Sequence, residues 1–289
     1  MDIGKRIEQS LGTLLAQAAT PECPPGLLNA VRHSVFPAGA RVRPRLCHAV
    51  ARACGEDDPA ATDAAASAIE FLHCASLVHD DLPCFDDAPT RRGQPSVHAA
   101  YGECLAILAG DALIVLAFQA LATAGLRHPQ RLPALLTTMG RAVGMPGGIV
   151  AGQAWECETR VVLSDYQRAK TGALFAAATA AGAATAGHDP NAWRALGEWL
   201  GEAYQVADDI RDVAGKVEEI GKPTGRDAAL GRPSAVHEFG VAGALHRLRY
   251  LVNSALEAIP PCDGTDDLRA LIHAEARRLV PAELARRVA

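Results

Sequence analysis

Between Gly172 and Gly187 the chain is mainly alanine, relieved chiefly by Gly and Thr, and such a run forms helix far more readily than sheet. The same bias extends over the rest of the sequence. Alanine fills about a fifth of it, Leu and Arg are common, and β-branched alternation is scarce. These features predict an all-α fold. Periodicity and turn signals predict helices over 3–18, 25–35, 41–53, 60–82, 102–124, 129–143, 148–157, 164–185, 190–215 and 234–258, with a shorter helical part from 266. The breaks carry turn chemistry, at Pro21, Pro24, Gly55 to Pro59, Pro83, Gly93 to Pro95, Pro146 to Gly148, His188 to Pro190 and Gly221 to Pro233. None of them is long enough for a linker, and no shift of composition divides the chain. Residues 1–289 therefore read as a single domain, a bundle of about ten helices.

Composition narrows the function. With 49% hydrophobic and 21% charged residues the chain is globular. A net charge of -5 offers no basic surface for nucleic acid, so an anionic ligand must be held locally. The eight cysteines show no short metal or redox spacing and read as reduced, buried, small hydrophobes of a cytoplasmic protein. Residues 1–10 carry Asp2, Lys5, Arg6 and Glu8 around no apolar core, unlike a secretory signal. Leu105 to Gly125 is interrupted by Asp111, and the alanine-rich run is too short and too weakly apolar for a span. Both are expected as helices buried in a soluble protein without a membrane span.

Two acidic clusters stand out. In His79-Asp80-Asp81-Leu82-Pro83-Cys84-Phe85-Asp86-Asp87, four carboxylates follow the apolar helix that contains Ile69, Phe71, Leu72, Leu77 and Val78. Pro83 ends that helix, so the acids gather at a C-terminus, where the helix dipole favours cations. The second cluster, Asp208-Asp209-Ile210-Arg211-Asp212, puts Asp208 and Asp212 at i, i+4 beside Val206, Ala207 and Ile210. Like charges against an apolar wall are unfavourable. Oxygen-ligated hard cations relieve both clusters, and Mg²⁺ suits best because it takes one or two carboxylates and leaves positions for phosphate. A single acidic pair is more often a solvated helix end; the cations nearby decide the matter. Arg91 and Arg92 follow the first cluster, Lys170-Thr171-Gly172 opens the alanine-rich helix, and Lys222 and Arg226 follow the second cluster. Arg grips phosphate oxygens in bidentate fashion and Lys acts as a point charge. Acids and bases around an apolar cavity imply a metal-bridged diphosphate with an apolar tail.

With these residues the chain resembles, along nearly its whole length, the trans-isoprenyl diphosphate synthases, or polyprenyl synthetases, and among them bacterial geranylgeranyl diphosphate synthases. Asp80 to Gly93 is similar to the first aspartate-rich motif in its longer bacterial form, and Asp208 to Asp212, preceded by Gln205, is similar to the second. Gly39-Ala40-Arg41-Val42-Arg43-Pro44 resembles the isopentenyl diphosphate segment, Gly147 to Gln153 a glycine-rich helix start, and Lys170-Thr171 and Gly221 to Asp227 the lysine motifs. The resemblance implies an all-α isoprenoid synthase fold around a central apolar cavity. It also implies a homodimer and a role in isoprenoid, including carotenoid, biosynthesis.

Carried over position by position, it implies Asp80, Asp86 and Asp208 as the main Mg²⁺ ligands, supported by Asp81, Asp209 and Asp212. Roughly three ions per site are implied, with Mn²⁺ as a substitute. Arg91, Lys170 and Lys222 are implied to hold the allylic diphosphate with Thr171, and Arg43, His73 and Arg92 the isopentenyl diphosphate. On its own, His73 reads as a core histidine on an apolar face. Gln153 and Gln205 are implied near the reacting carbons. The family often has Lys where this chain has Ala40 and Gln94; Arg41 is expected to compensate for the first.

The implied chemistry is ionisation of the allylic diphosphate, attack on the cation by the double bond of isopentenyl diphosphate, and loss of a proton, within a dry cavity. Product length is set by what blocks the growing tail. Fifteen-carbon enzymes with the longer motif typically have an aromatic residue five before the first Asp; here Ala75 stands there beside Ser76. The tail is expected to pass, with Leu72, Phe71 or Phe118 as floor, giving geranylgeranyl diphosphate; farnesyl diphosphate is the alternative. A terpene cyclase normally lacks the second cluster and the Arg-Pro segment, and a non-catalytic partner subunit is expected to lose site residues. A purely structural bundle leaves the like-charge pairs unexplained.

Overall fold

A computed structural model describes residues 2–36, 39–160, 163–214 and 234–278. The fold is all-α, as expected. In chain order the helices are α1 (Ile3–Ala18), α2 (Pro25–Val35), α3 (Val42–Ala53), α4 (Pro59–Asp80), α5 (Val97–Tyr101), α6 (Glu103–Gly125), α7 (Leu132–Val143), α8 (Ile149–Ala154), α9 (Leu163–Gln167), α10 (Ala173–Thr185), α11 (Arg194–Ala214), α12 (Ala235–Glu257) and α13 (Thr265–Arg278). A hairpin of β1 (Thr90–Arg91) and β2 (Gln94–Pro95) separates α4 from α5. Contacts group the chain into two compact units. Met1–Arg52, Glu56–Met139 and Ala181–His188 make the first, and Ala53–Gly55, Gly140–Ala180 and Asp189–Ala289 the second.

In the first unit α1 buries Ile7, Leu11 and Leu15, a stripe at i, i+4, i+8, and starts where Asp2 caps the Lys5 amide at 3.3 Å. Asp58 caps α4 through the amides of Ala60 and Ala61, both at 3.1 Å, and Pro59 occupies the first helical position. Helices α4 and α6 pack antiparallel. At one end His79 lies over Gly110, and at the other Ala61 and Ala64 cluster with Ala120 and Ala124, whose small side chains let the helices approach. The alanine-rich run is buried as expected. In the second unit a Cβ added to Gly197 of α11 would stand 2.5 Å from the Ala176 Cα of α10, so these two helices meet at backbone distance.

Several expectations need correction. Helix α6 is not buried all round: Ile107, Leu108 and Val115 are 46%, 51% and 55% exposed. Glu103–Gly125 is the one helix among the described residues long and apolar enough to cross a membrane, by length and composition alone. The predicted 164–185 helix is interrupted by a π-helical turn at Arg168–Gly172, and the 234–258 helix is kinked at Gly240, where φ is 66°. None of the eight cysteines is in a disulfide, but only Cys47 and Cys74 are buried; Cys84, Cys104 and Cys157 are exposed. Thiols on short polar segments such as the aspartate loop have no core to enter.

A buried polar cluster lies under α3 and α4, away from the aspartates. Arg6 reaches Asp63 at 2.6 Å and Glu56 at 2.9 Å, and His48, fully buried, stands 3.5 Å from Asp63. Burial, reinforced by the charge of Arg6, lowers the His48 pKa from 6.5 to about 4. The unfolded chain therefore binds a proton between these values that the fold does not. The stability that follows is complete above pH 6.5 and is lost as pH falls toward 4. In urea titrations at pH 7.5 and pH 5 the wild type loses about 2 kcal/mol more than His48→Leu. Equal losses would remove His48 as the cause.

Candidate active site

Pro83 stops α4, and the chain doubles back at once. The amides of Leu82, Phe85, Asp86, Asp87 and Ala88 return to carbonyls of His79, Leu82, Asp80, Leu82 and Asp81 at 2.9–3.1 Å. The 3.0 Å bond from the Asp86 N–H to the Asp80 carbonyl sets these two aspartates on one tight loop, the work of the longer motif's extra residues. His79 anchors the loop's near end through a 3.3 Å contact from Nε2 to the Ile107 carbonyl of α6.

Asp81 turns inward. It is 2% exposed, and its carboxylate accepts from Arg91 Nε at 3.0 and 3.2 Å and from Arg91 Nη2. Burial raises the Asp81 pKa, opposed by Arg91 and reinforced by Asp80 and Asp86. The same Nη2 lies 4.0 Å from Asp80 Oδ2. Asp81 thus fixes Arg91 beside Asp80, a role its position in the motif does not reveal.

The hairpin parts the two arginines. Arg92 and Gly93 form its two-residue turn with φ of 54° and 77°, positive at both centres as a type I′ turn requires. Arg91 goes to Asp81, while Arg92 Nη2 approaches Glu70 Oε1 at 3.9 Å. His73 of α4 has Nε2 3.5 Å from Arg43 Nη1 of α3. Burial, then the charges of Arg43, Arg92, Arg91 and Arg41, depress the His73 pKa well below 6.5 and keep it neutral. Arg43, His73 and Arg92 are thus brought into one neighbourhood.

Arg41 does not compensate for Ala40. It is 6% exposed, and its three nitrogens are committed: Nε to Glu8 at 2.8 Å, Nη1 to Glu70 at 2.5 Å, and Nη2 to the Val35 carbonyl at 2.8 Å and Glu8 at 3.2 Å. Its burial opposes the charge, but pairing with Glu8 and Glu70 outweighs it and raises the pKa. Gln94, in β2, is exposed. Of the chain-length residues, Phe71, Leu72 and Ala75 are buried, while Ser76 is half-buried with Oγ donating to the His73 carbonyl at 2.8 Å. Phe118 of α6 is half-buried. Ser76 stands four residues before Asp80, on its side of α4, and Ala75 stands four before His79, on the side facing α6.

In the second unit Lys170 sits in the π turn. Its Nζ is 2.6 Å from Glu156 Oε1, which also accepts from Tyr166 Oη at 2.5 Å, while Glu156 Oε2 accepts from Gln153 Nε2 at 3.1 Å. One carboxylate therefore organises three donors from α8, α9 and the turn. Glu156 was missed from sequence; its signal is the i, i+3 spacing to Gln153 on the glycine-rich helix start. Gly152 permits the arrangement, since a Cβ there would stand 2.5 Å from the Lys170 nitrogen.

Thr171 Oγ1 of the π turn donates to Gln205 Oε1 of α11 at 3.2 Å, Gln205 Nε2 donates to Asp209 Oδ1 at 3.1 Å, and Asp209 Oδ2 accepts from the Ala235 amide at 2.8 Å. This relay fixes the Gln205 amide and buries Asp209 at 3% exposure. Asp208 pairs with Arg211 at 2.7 Å, and Asp212 is 7% exposed. Lys222 lies outside the described residues.

Carboxylate oxygens are the ligands that both clusters offer. Among the described residues, no group of three or more His, Cys, Asp or Glu stands together as a metal cage. Carboxylate oxygen, which each cluster offers, is the donor type that Mg²⁺ takes.

The polyprenyl synthetase family model matches residues 24–258. The chain is similar to a geranylgeranyl diphosphate synthase of Cereibacter sphaeroides, 51% identical over 100% of both chains, and to one of Rhodobacter capsulatus, 48% identical over 99% of this chain and 100% of that one. Among solved structures it is similar to a Helicobacter pylori geranyltransferase complexed with magnesium and isoprenyl diphosphate, at TM-score 0.81, 28% identity and 96% coverage of each chain. With a family match across most of its length and relatives of this identity end to end, the chain belongs to the polyprenyl synthetase family.

Proposed function

We propose that this chain is a Mg²⁺-dependent prenyltransferase that joins isopentenyl diphosphate head-to-tail, in trans geometry, to allylic diphosphates and stops at geranylgeranyl diphosphate. The reading is carried by full-length similarity to synthases of that name combined with an alanine at position 75. Residues 1–289 act as one synthase domain.

When bound, Mg²⁺ neutralises the charge that grows on the departing diphosphate. The residues that the family resemblance assigns to hold it are Asp80 and Asp86 in the first unit and Asp208 and Asp212 in the second. By the family resemblance, Arg91 in the first unit, locked by Asp81, and Lys170 in the second, held by Glu156, are each assigned to the allylic diphosphate, as are Thr171 and, beyond the described residues, Lys222. Arg43, neutral His73 and Arg92 orient isopentenyl diphosphate, so its double bond attacks a cation already in place. Gln205, fixed by Thr171 and Asp209, presents a stationary dipole. Roughly three ions per site, with Mn²⁺ as substitute, is the finer expectation.

The outward apolar residues of α6 support a homodimer, whose second copy would cover Ile107, Leu108 and Val115. We extend the reading to a reducing, cytoplasmic location from the sequence alone, whose eight cysteines stand at no short metal or redox spacing. The function is tested by incubating the chain with Mg²⁺, labelled isopentenyl diphosphate and five-, ten- or fifteen-carbon allylic primers, then separating the dephosphorylated alcohols. A dominant geranylgeraniol peak that vanishes with chelator is expected. Arrest at farnesol would give the chain the shorter product, and no elongation would make it a partner subunit.

A further inference from the structure

The segment before α3 contains a glycine whose backbone does not call for one. Gly39 has no positive φ, so turn geometry does not explain it. Space does. A Cβ added there would stand 2.7 Å from Arg92 Cζ and Nη2 and 2.8 Å from Nε, so the Arg92 guanidinium lies directly against the bare Cα. On its other side is Glu70, 2% exposed on α4, with Oε1 3.9 Å from Arg92 Nη2 and 2.5 Å from Arg41 Nη1. The Arg92 side chain leaves a turn residue at positive φ and remains 24% exposed. Arg92 also hydrogen-bonds the buried Cys74 thiol of α4; without the glycine and the carboxylate its long stem has more rotamers to choose from.

We propose that Gly39 and Glu70 are positioning residues for Arg92: the glycine is a seat for the guanidinium and the buried carboxylate a backstop. Together they set the fork that grips the diphosphate of isopentenyl diphosphate. This rests on the role given to Arg92 above. A seat matters more here because Ala40 supplies no cation and Arg41 is already spent on Glu8, Glu70 and the Val35 carbonyl. The atoms that a methyl group at position 39 would meet are the far end of a flexible side chain. Gly39→Ala therefore displaces the guanidinium and leaves the fold intact.

The test is steady-state kinetics with each substrate varied at saturation of the other, plus thermal melts, for the wild type, Gly39→Ala, Glu70→Gln, Glu70→Asp, Arg92→Ala and Gly39→Ala/Arg92→Ala. Gly39→Ala raises KM for isopentenyl diphosphate about tenfold and leaves KM for the allylic primer and Tm unchanged. In the Arg92→Ala background the same substitution adds nothing, because the group it moves is gone. Glu70→Gln shifts the same KM, and Glu70→Asp restores part of it. If Arg92→Ala raises this KM and Gly39→Ala does not, or if the two effects add, the seat is refuted while the role of Arg92 stands. If Arg92→Ala leaves KM for isopentenyl diphosphate unchanged, the role of Arg92 fails and the inference with it.

Discussion

Asp80→Asn is expected to lower kcat about 100- to 1,000-fold with every allylic primer while leaving KM for isopentenyl diphosphate near its wild-type value. The amide keeps the shape of the carboxylate but removes the charge that an ion needs. Its neighbour behaves differently. Asp81 has both oxygens on Arg91 and is almost fully buried. Asp81→Asn therefore releases a guanidinium instead of a metal ligand, and the loss falls mainly on KM for the allylic primer. Raising Mg²⁺ partly rescues Asp80→Asn, whose defect is ion affinity, and does nothing for Asp81→Asn. Equal Mg²⁺ dependence of the two variants would mean that both carboxylates ligate the ion and that the Arg91 pair opens during turnover. Activity, metal titration and primer KM, measured on the same preparations, separate these cases.

Ala75→Phe is expected to move the main product from twenty carbons to fifteen. Ala75 is 2% exposed and stands one turn before His79, on the flank of α4 that meets α6. By the family resemblance the growing tail passes position 75, and a phenyl group there blocks it. It also overpacks the helix pair, at about 1–3 kcal/mol of stability, so melts accompany the assay. Ser76→Phe gives an independent probe because Ser76 is half-buried and lies on the side of Asp80. Chromatography of the alcohols reads the result directly. Geranylgeraniol persisting as the main product from both well-folded variants would place the stop deeper, at Leu72, Phe71 or Phe118.

Much of this was written in the sequence. Predicted helices 3–18 and 25–35 coincide with α1 and α2, because a capping Asp2 and a proline pair mark their starts and apolar spacing marks their faces. The aspartate loop was legible from Pro83, which must end α4. The hairpin was not: Thr90-Arg91-Arg92-Gly93-Gln94-Pro95 has no apolar alternation, and its turn places positive φ on an arginine. The outward face of α6 was hidden for the opposite reason. A helix apolar on every side carries no direction in its pattern, so which residues face solvent is decided by packing against α4. The destinations of Arg41 and Asp81 were equally invisible. Each charge could serve a ligand or another side chain, and only long-range partners, Glu8, Glu70 and Arg91, settle which.

The His79 ring has one further consequence, for the design of experiments on assembly. Ile107 offers its side chain to solvent, yet its carbonyl receives His79 Nε2, one residue from Asp80. A charged residue at position 107, the obvious choice to split the proposed dimer, therefore sits on the same residue whose carbonyl steadies the aspartate loop. Activity lost in such a variant would not by itself separate the loop from the proposed dimer. Val115, eight residues further along and 55% exposed, is the cleaner place to cut. Position 110 is the converse case: even one methyl group there would press on His79, so an apparently conservative Gly110→Ala change in an apolar helix is a change beside the aspartate loop.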